Sequence, residues 1–186
     1  MIIGITGTSG AGKDTLAQHF VERGFCHLSL SDLIRDELQK RGLEITGKNL
    51  REIGNELRES EGLSVLAKRA AVLMDANKNY VITSIRNPFE VKELKQLKDF
   101  ILFSVDAPIE MRYQRVLMRQ GRTDKITKTL AEFQKNEQLE MESRDSAHQQ
   151  VKVCMGMADF SLFNAGDMAA FFTQADDLLE KFVNSH

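Results

Sequence analysis

Little in this 186-residue chain crosslinks or interrupts it: there are two cysteines, two prolines and no tryptophan. Cys26 and Cys154 lie far apart with no repeated spacing, which excludes a disulfide framework and predicts free thiols in a reducing compartment. There is no C-x-x-C pair, and His19, His27, His148 and His186 are scattered, so zinc spacing is missing as well. No apolar run approaches the roughly 18 residues of a membrane span. The start, Met1 to Thr6, runs straight into glycines without a leader pattern, so a cytoplasmic protein with no membrane partner is expected. An excess of one charge is also absent. With 25 basic and 27 acidic residues, the formal net charge of −2 argues against a wholly basic nucleic-acid binder and an acidic disordered chain. Few prolines and no repeats leave no linker, so one domain with its own core is expected.

What is present is an alternation of short β-branched runs with amphipathic stretches. Residues 2–6, 25–30, 80–85, 101–105 and 160–163 read as strands. Helices are expected at 13–23, at 31–41 behind a Ser31 or Asp32 cap, near 48–60 and 63–77, over Val91, Leu94 and Leu97, and from Pro108 onward. Thr129 and Glu132 have capping-box spacing at a further, polar helix. The last helix carries Met168, Phe171, Phe172, Ala175, Leu178, Leu179 and Phe182 on one face. Strands alternating with helices predict an α/β fold, a mostly parallel sheet covered on both sides, with ligands at the carboxyl ends of the strands.

One motif falls at such an end. Gly7-Thr8-Ser9-Gly10-Ala11-Gly12-Lys13 fills the pattern G-x-x-x-x-G-K between a predicted strand and a predicted helix. Glycines let successive backbone N–H groups turn around a phosphate, the helix N-terminus adds partial positive charge, and a lysine here reaches the outer phosphates. The spacing marks a nucleoside triphosphate site. The pattern continues with Ser or Thr, whose hydroxyl sits on Mg²⁺, whereas this chain has Asp14 and then Thr15. Asp14 is a hard oxygen ligand for the ion or a complement to the helix dipole; both readings stay open.

Gly7 to Thr15, Ser31-Asp32-Leu33-Ile34-Arg35, Val81-Ile82-Thr83-Ser84-Ile85-Arg86, Asp106-Ala107-Pro108 and Ala158-Asp159-Phe160 with Asn164 follow in one order. In that order they resemble the small P-loop nucleotide kinases of the adenylate kinase and dephospho-CoA kinase group. The Gly-Lys-Asp-Thr loop ending is similar to deoxynucleoside monophosphate kinases. The resemblance spans nearly the whole chain. It implies a three-layer P-loop fold around a five-stranded sheet, with a core at 1–30, 78–111 and 150–186. It further implies an acceptor-binding segment at about 31–77, a short lid at about 112–128, and ATP with Mg²⁺ as cofactors.

The activity implied is ATP-dependent phosphoryl transfer to a small nucleotide acceptor, by a monomer or homodimer. Asp32 and Arg35, three apart, share a helix face. By resemblance Arg35 grips the acceptor phosphate, while Asp32 is a base, an orienter of metal-bound water or a plain N-cap. Arg86, past a central strand, faces the ligand crevice. Many relatives have an aspartate where Thr83 stands, which leaves Asp14, Thr15 or Asp106 to organise the metal.

Residues 112–128 carry six cations against one acid in an otherwise acidic chain. Arg112, Arg115 and Arg119 share a helix face and Arg122 follows Gly121. A lid of Arg115, Arg119 and Arg122 closing over the transferred phosphate is expected, unless acids elsewhere neutralise the cluster; the lone interleaved aromatic, Tyr113, argues against nucleic acid. Asn164 is expected on the adenine side. A monophosphate acceptor needs arginines and no base, whereas a sugar hydroxyl makes an aspartate base useful. More phosphate grips than bases favour a nucleoside monophosphate kinase, with dephospho-CoA kinase next. A P-loop switch hydrolysing ATP slowly through a partner is the reading from another class.

Overall fold

The computed structural model describes residues 1–118, 129–141 and 145–184, the Leu139 side chain excepted. Five parallel strands form one sheet in the order β2-β3-β1-β4-β5. They are β1 (Ile2–Gly7), β2 (Cys26–Ser29), β3 (Tyr80–Thr83), β4 (Phe100–Asp106) and β5 (Phe160–Phe163). The helices are α1 (Lys13–Val21), α2 (Leu30–Lys40), α3 (Gly47–Glu61), α4 (Val65–Val72), α5 (Pro88–Leu94), α6 (Ile109–Met118), α7 (Leu130–Met141), α8 (Val151–Gly156) and α9 (Met168–Asn184).

The near-continuous apolar strands are those of a sheet buried on both faces. Period-two alternation sends Ile3, Ile5, Val81, Ile101, Phe103 and Val105 to one face, against Leu16 and Phe20 of α1 and Phe171 and Ala175 of α9. Ile82 and Leu102 point to the other, against Leu30, Ile34, Leu57, Leu66 and Leu94 from α2 to α5. β1 lies beside β3, and the chain leaves the carboxyl ends of these two neighbours in opposite directions, from β1 to β2 on one side and from β3 to β4 on the other. A crevice opens there, the usual ligand position of such sheets.

Several boundaries differ from the sequence reading. α2 starts at Leu30 behind an N-cap at Ser29, so Ser31 and Asp32 lie in its first turn and neither caps it. α4 stops at Val72 because Asp75 redirects the chain: its carboxylate accepts from Asn77 N and its own N–H donates to the Tyr80 hydroxyl. β3 ends at Thr83 because Ser84 takes φ 63°, outside the extended region. α8 was not anticipated. α5 has a full capping box, Asn87 with Glu90, that the sequence reading passed over. Among the described residues, no helix is long and apolar enough to cross a membrane.

Candidate functional site

The glycine-rich loop leaves β1 and enters α1, and three of its glycines are fixed by what they touch. Gly7, Gly10 and Gly12 all have positive φ. A Cβ on Gly7 would stand 2.0 Å from the Val105 carbonyl oxygen, one on Gly10 2.5 Å from the Arg112 carbonyl oxygen, and one on Gly12 2.5 Å from Asn164 Nδ2. The loop is therefore pressed against the end of β4, α6 and the residue after β5.

Its carbonyls are held from outside. Arg112 Nη1 donates to the Ser9 carbonyl at 3.3 Å, and Arg115 Nη1 reaches those of Gly10 and Ala11 at 3.4 and 3.5 Å. Asn164 Nδ2 donates to the Ala11 carbonyl at 3.0 Å, while its Oδ1 accepts from Arg115 Nη2 at 3.1 Å and Gly166 N at 3.2 Å. In a trans peptide the N–H points opposite to the carbonyl. The N–H groups of Gly10, Ala11 and Gly12 therefore turn to the other side of the loop, Ala11's meeting the Thr8 carbonyl at 3.4 Å. Lys13 Nζ donates to that same carbonyl at 2.6 Å, which holds the ammonium over the loop. Asp106, at the end of β4, accepts from the Thr8 hydroxyl at 2.7 Å and from Ala107 N at 2.8 Å. It tethers the loop as well as opening the turn into α6. Asp14 and Thr15 are exposed in the first turn of α1.

The arginine cluster divides. Arg112 is buried; it forks onto Glu137 of α7 and donates through Nε to the Ala107 carbonyl at 2.8 Å. An acid elsewhere does neutralise it, and it serves the loop as a brace. Arg115 and Asn164 also lie against the loop, with Asn164 almost wholly buried. The sequence placed Asn164 on the adenine side; its amide is engaged with the loop, its neighbour Gly166 and Arg115. Arg119 and Arg122 lie outside the described residues.

Across the crevice, Arg35 Nη1 donates to Asp32 Oδ1 at 2.5 Å and to the Ser31 hydroxyl at 3.0 Å. Arg86 pairs with Glu140 at 2.7 Å and with Gln149 at 3.1 Å. The hydroxyls of Ser29, Ser31 and Ser84 lie 2.9 to 3.0 Å from one another. Thr83 is buried and 2.8 Å from His27 Nε2.

Beneath these groups lies an ion pair that sequence reading missed. Glu90 Oε1 accepts from Arg58 Nε and Nη2 at 2.9 and 2.8 Å, and Glu90 Oε2 accepts the N–H groups of Arg86 and Asn87. Both side chains are almost wholly buried. One carboxylate thus joins α3 to the strand end that carries Arg86. Elsewhere among the described residues, Glu59, Asp145 and His148 bring ligand atoms within 4.8 Å of one another.

Burial pushes the Cys154 thiol well above its ordinary range. Native protein treated with iodoacetamide near neutral pH is expected to gain one adduct, on half-buried Cys26, and a second only on unfolding. Peptide mass spectrometry checks this; rapid native labelling of Cys154 would contradict it.

Sheet order, loop and helix together define a P-loop protein of kinase-like fold. The sequence profile of the family described as "AAA domain" matches residues 3–146. The chain belongs to that family, and to the UPF0200 proteins. It is 30% identical over 190 residues to the UPF0200 protein of Thermococcus gammatolerans, covering 98% of this chain and 96% of that one. It is 32% identical over 190 residues to the UPF0200/UPF0201 protein of Archaeoglobus fulgidus, covering 99% of this chain but 56% of that one. The chain thus spans about half the length of the Archaeoglobus relative. Among solved structures, a shikimate kinase from Bacteroides thetaiotaomicron superposes with a TM-score of 0.64 at 15% identity, over 97% of this chain and 98% of that one. That likeness bears out the fold.

Proposed function

We propose that the protein is an ATP-dependent phosphotransferase that moves the γ-phosphate of ATP to a nucleoside monophosphate. What supports this reading is that Arg35, in α2 after β2, and Arg86, after β3, follow carboxyl ends of parallel strands on the same edge of the sheet as the glycine-rich loop after β1. Kinship with adenylate and dephospho-CoA kinases rests on the motif residues; the whole-chain matches support the kinase-like fold.

In this reading the N–H groups of residues 7–15 and the Lys13 ammonium receive the ATP phosphates. Arg35 exchanges Asp32 for the acceptor phosphate, and Arg86 likewise exchanges Glu140. An acceptor phosphate oxygen attacks the γ-phosphorus, the bond to the β,γ-bridging oxygen breaks, and ADP leaves with that electron pair. No general base is required, since the attacking oxygen is already anionic. Arg115 is positioned by Asn164 beside the loop, where its guanidinium can meet the transferred group. Mg²⁺, when bound, offsets charge on the β- and γ-phosphates. The exposed oxygens of Asp14 and Thr15, with the half-exposed Asp106 carboxylate, suit a hard ion of this kind.

A second reading, phosphorylation of a hydroxyl as in dephospho-CoA, draws on Asp32. Its carboxylate is 63% exposed, available to take a proton from an attacking hydroxyl. ATP consumption measured with AMP, CMP, UMP, the deoxynucleotides and dephospho-CoA separates the two. With a monophosphate acceptor, Arg35→Ala and Arg86→Ala are each expected to lower kcat/KM at least tenfold, and Asp32→Asn only a few-fold. The reverse ranking, with dephospho-CoA as the working acceptor, selects the hydroxyl reading. Hydrolysis that ignores every acceptor selects a nucleotide switch.

A further inference from the structure

We propose that Ser29, Ser31 and Ser84 form a cradle for one anionic oxygen of the acceptor's phosphate, a subsite that rests on the monophosphate reading above and names what recognises the phosphate.

The three hydroxyl oxygens stand at the corners of a nearly equilateral triangle with sides of 2.9, 3.0 and 3.0 Å. They come from three places in the chain: the end of β2, the first turn of α2 and the residue after β3. In such a ring each hydroxyl donates to one neighbour and accepts from the other, so the set is satisfied without a ligand. An oxygen placed above the triangle lies within hydrogen-bond reach of all three corners, and the three O–H groups can rotate to donate to it together. Accepting three donors suits an anionic oxygen; a neutral hydroxyl has two lone pairs and must also place its own proton. Arg35 already donates to Ser31, so the adjoining guanidinium supplies the charge that a phosphate needs.

Two features show that the arrangement is maintained against local preference. Ser29 is the N-cap of α2, a position where serine ordinarily bonds the first free N–H groups, yet its hydroxyl makes no capping bond and joins the triangle instead. Ser84 is held at φ 63°, a conformation that favours glycine over serine. All three residues are half-buried, between core and solvent. A purely structural role would be served as well by glycine at 84 and by a capping serine at 29.

The test is calorimetric binding of AMP and the other monophosphates to the full chain, with adenosine as the phosphate-free control, for wild type, Ser84→Gly and Ser29→Ala. Each variant is expected to bind its monophosphate about tenfold more weakly, with ATP and adenosine affinities unchanged. The melting temperature of Ser84→Gly should equal or exceed that of wild type, because the backbone strain is relieved. Monophosphate affinity unchanged in both variants overturns the cradle, and so does equal weakening of adenosine. If wild type binds a monophosphate through these serines without phosphorylating it, the cradle stands and the kinase reading falls. If it phosphorylates one whose binding ignores both substitutions, the kinase reading stands and the cradle falls. If no monophosphate binds, both fall.

Discussion

Replacement of Lys13 by methionine is expected to reduce acceptor-dependent ATP consumption by about a hundred- to a thousandfold, the usual loss when one preorganised donor to a transferring phosphate is removed. The fold should persist. Lys13 Nζ contacts the Thr8 carbonyl at 2.6 Å, and losing one such hydrogen bond costs about 1 kcal/mol. In a domain of this size that lowers the melting temperature by roughly 2 to 4 °C. The loop keeps its form through other groups, namely Arg112, Arg115 and Asn164 on its carbonyls and Asp106 on Thr8. Lys13→Arg should not restore the rate, because a planar fork does not replace a compact ammonium over a closely wrapped backbone. Turnover assays paired with thermal unfolding check both parts. A methionine variant that retains half the wild-type rate would remove Lys13 from the phosphate site and with it the case for phosphoryl transfer.

The parts of this molecule legible in sequence are those in which the signal is local. Five strands announced themselves as β-branched or apolar runs, and the glycine-lysine loop carries its meaning in seven consecutive positions. What stayed hidden depends on pairs distant in sequence. Arg112 read as one member of a cationic cluster with Arg115, Arg119 and Arg122, whereas its actual partner, Glu137, lies on a different helix. Asp32 looked like a cap because aspartate caps well, but α2 begins two residues earlier, behind Ser29. A four-residue β3 reads as six when periodicity is the guide, since nothing in Ser84-Ile85 shows that Ser84 turns left-handed. α8, six residues long, is too short for a 3.6-residue period to register. Asn164 was found from its motif, but its grip on the Ala11 carbonyl, 153 positions away, required the fold.

The largest effect on stability is expected at Glu90. Its carboxylate is fully buried against Arg58, and its second oxygen holds the N–H groups of Arg86 and Asn87 at 3.0 and 3.1 Å. Glu90→Ala leaves a buried guanidinium without its counter-charge and two amides without an acceptor. The expected cost is about 3 to 5 kcal/mol, or a fall in melting temperature of roughly 6 to 20 °C at 2 to 4 °C per kcal/mol. Arg58→Met alone should cost about as much, since it strands the carboxylate. The double variant Arg58→Met, Glu90→Leu should recover much of the loss, because a well-packed apolar pair avoids the desolvation of two charges. Recovery should be incomplete, for leucine cannot replace the carboxylate oxygen that caps α5. The remaining deficit therefore measures the capping contribution, and the double-mutant cycle isolates the ion pair from it. It also carries a functional sign. Arg86 is aimed by a backbone that Glu90 fixes, so the double variant should regain stability while its kcat/KM for the acceptor stays low. Restoration of both together would show that the ion pair serves the core alone, and loss of less than 1 kcal/mol in Glu90→Ala would show that it serves neither.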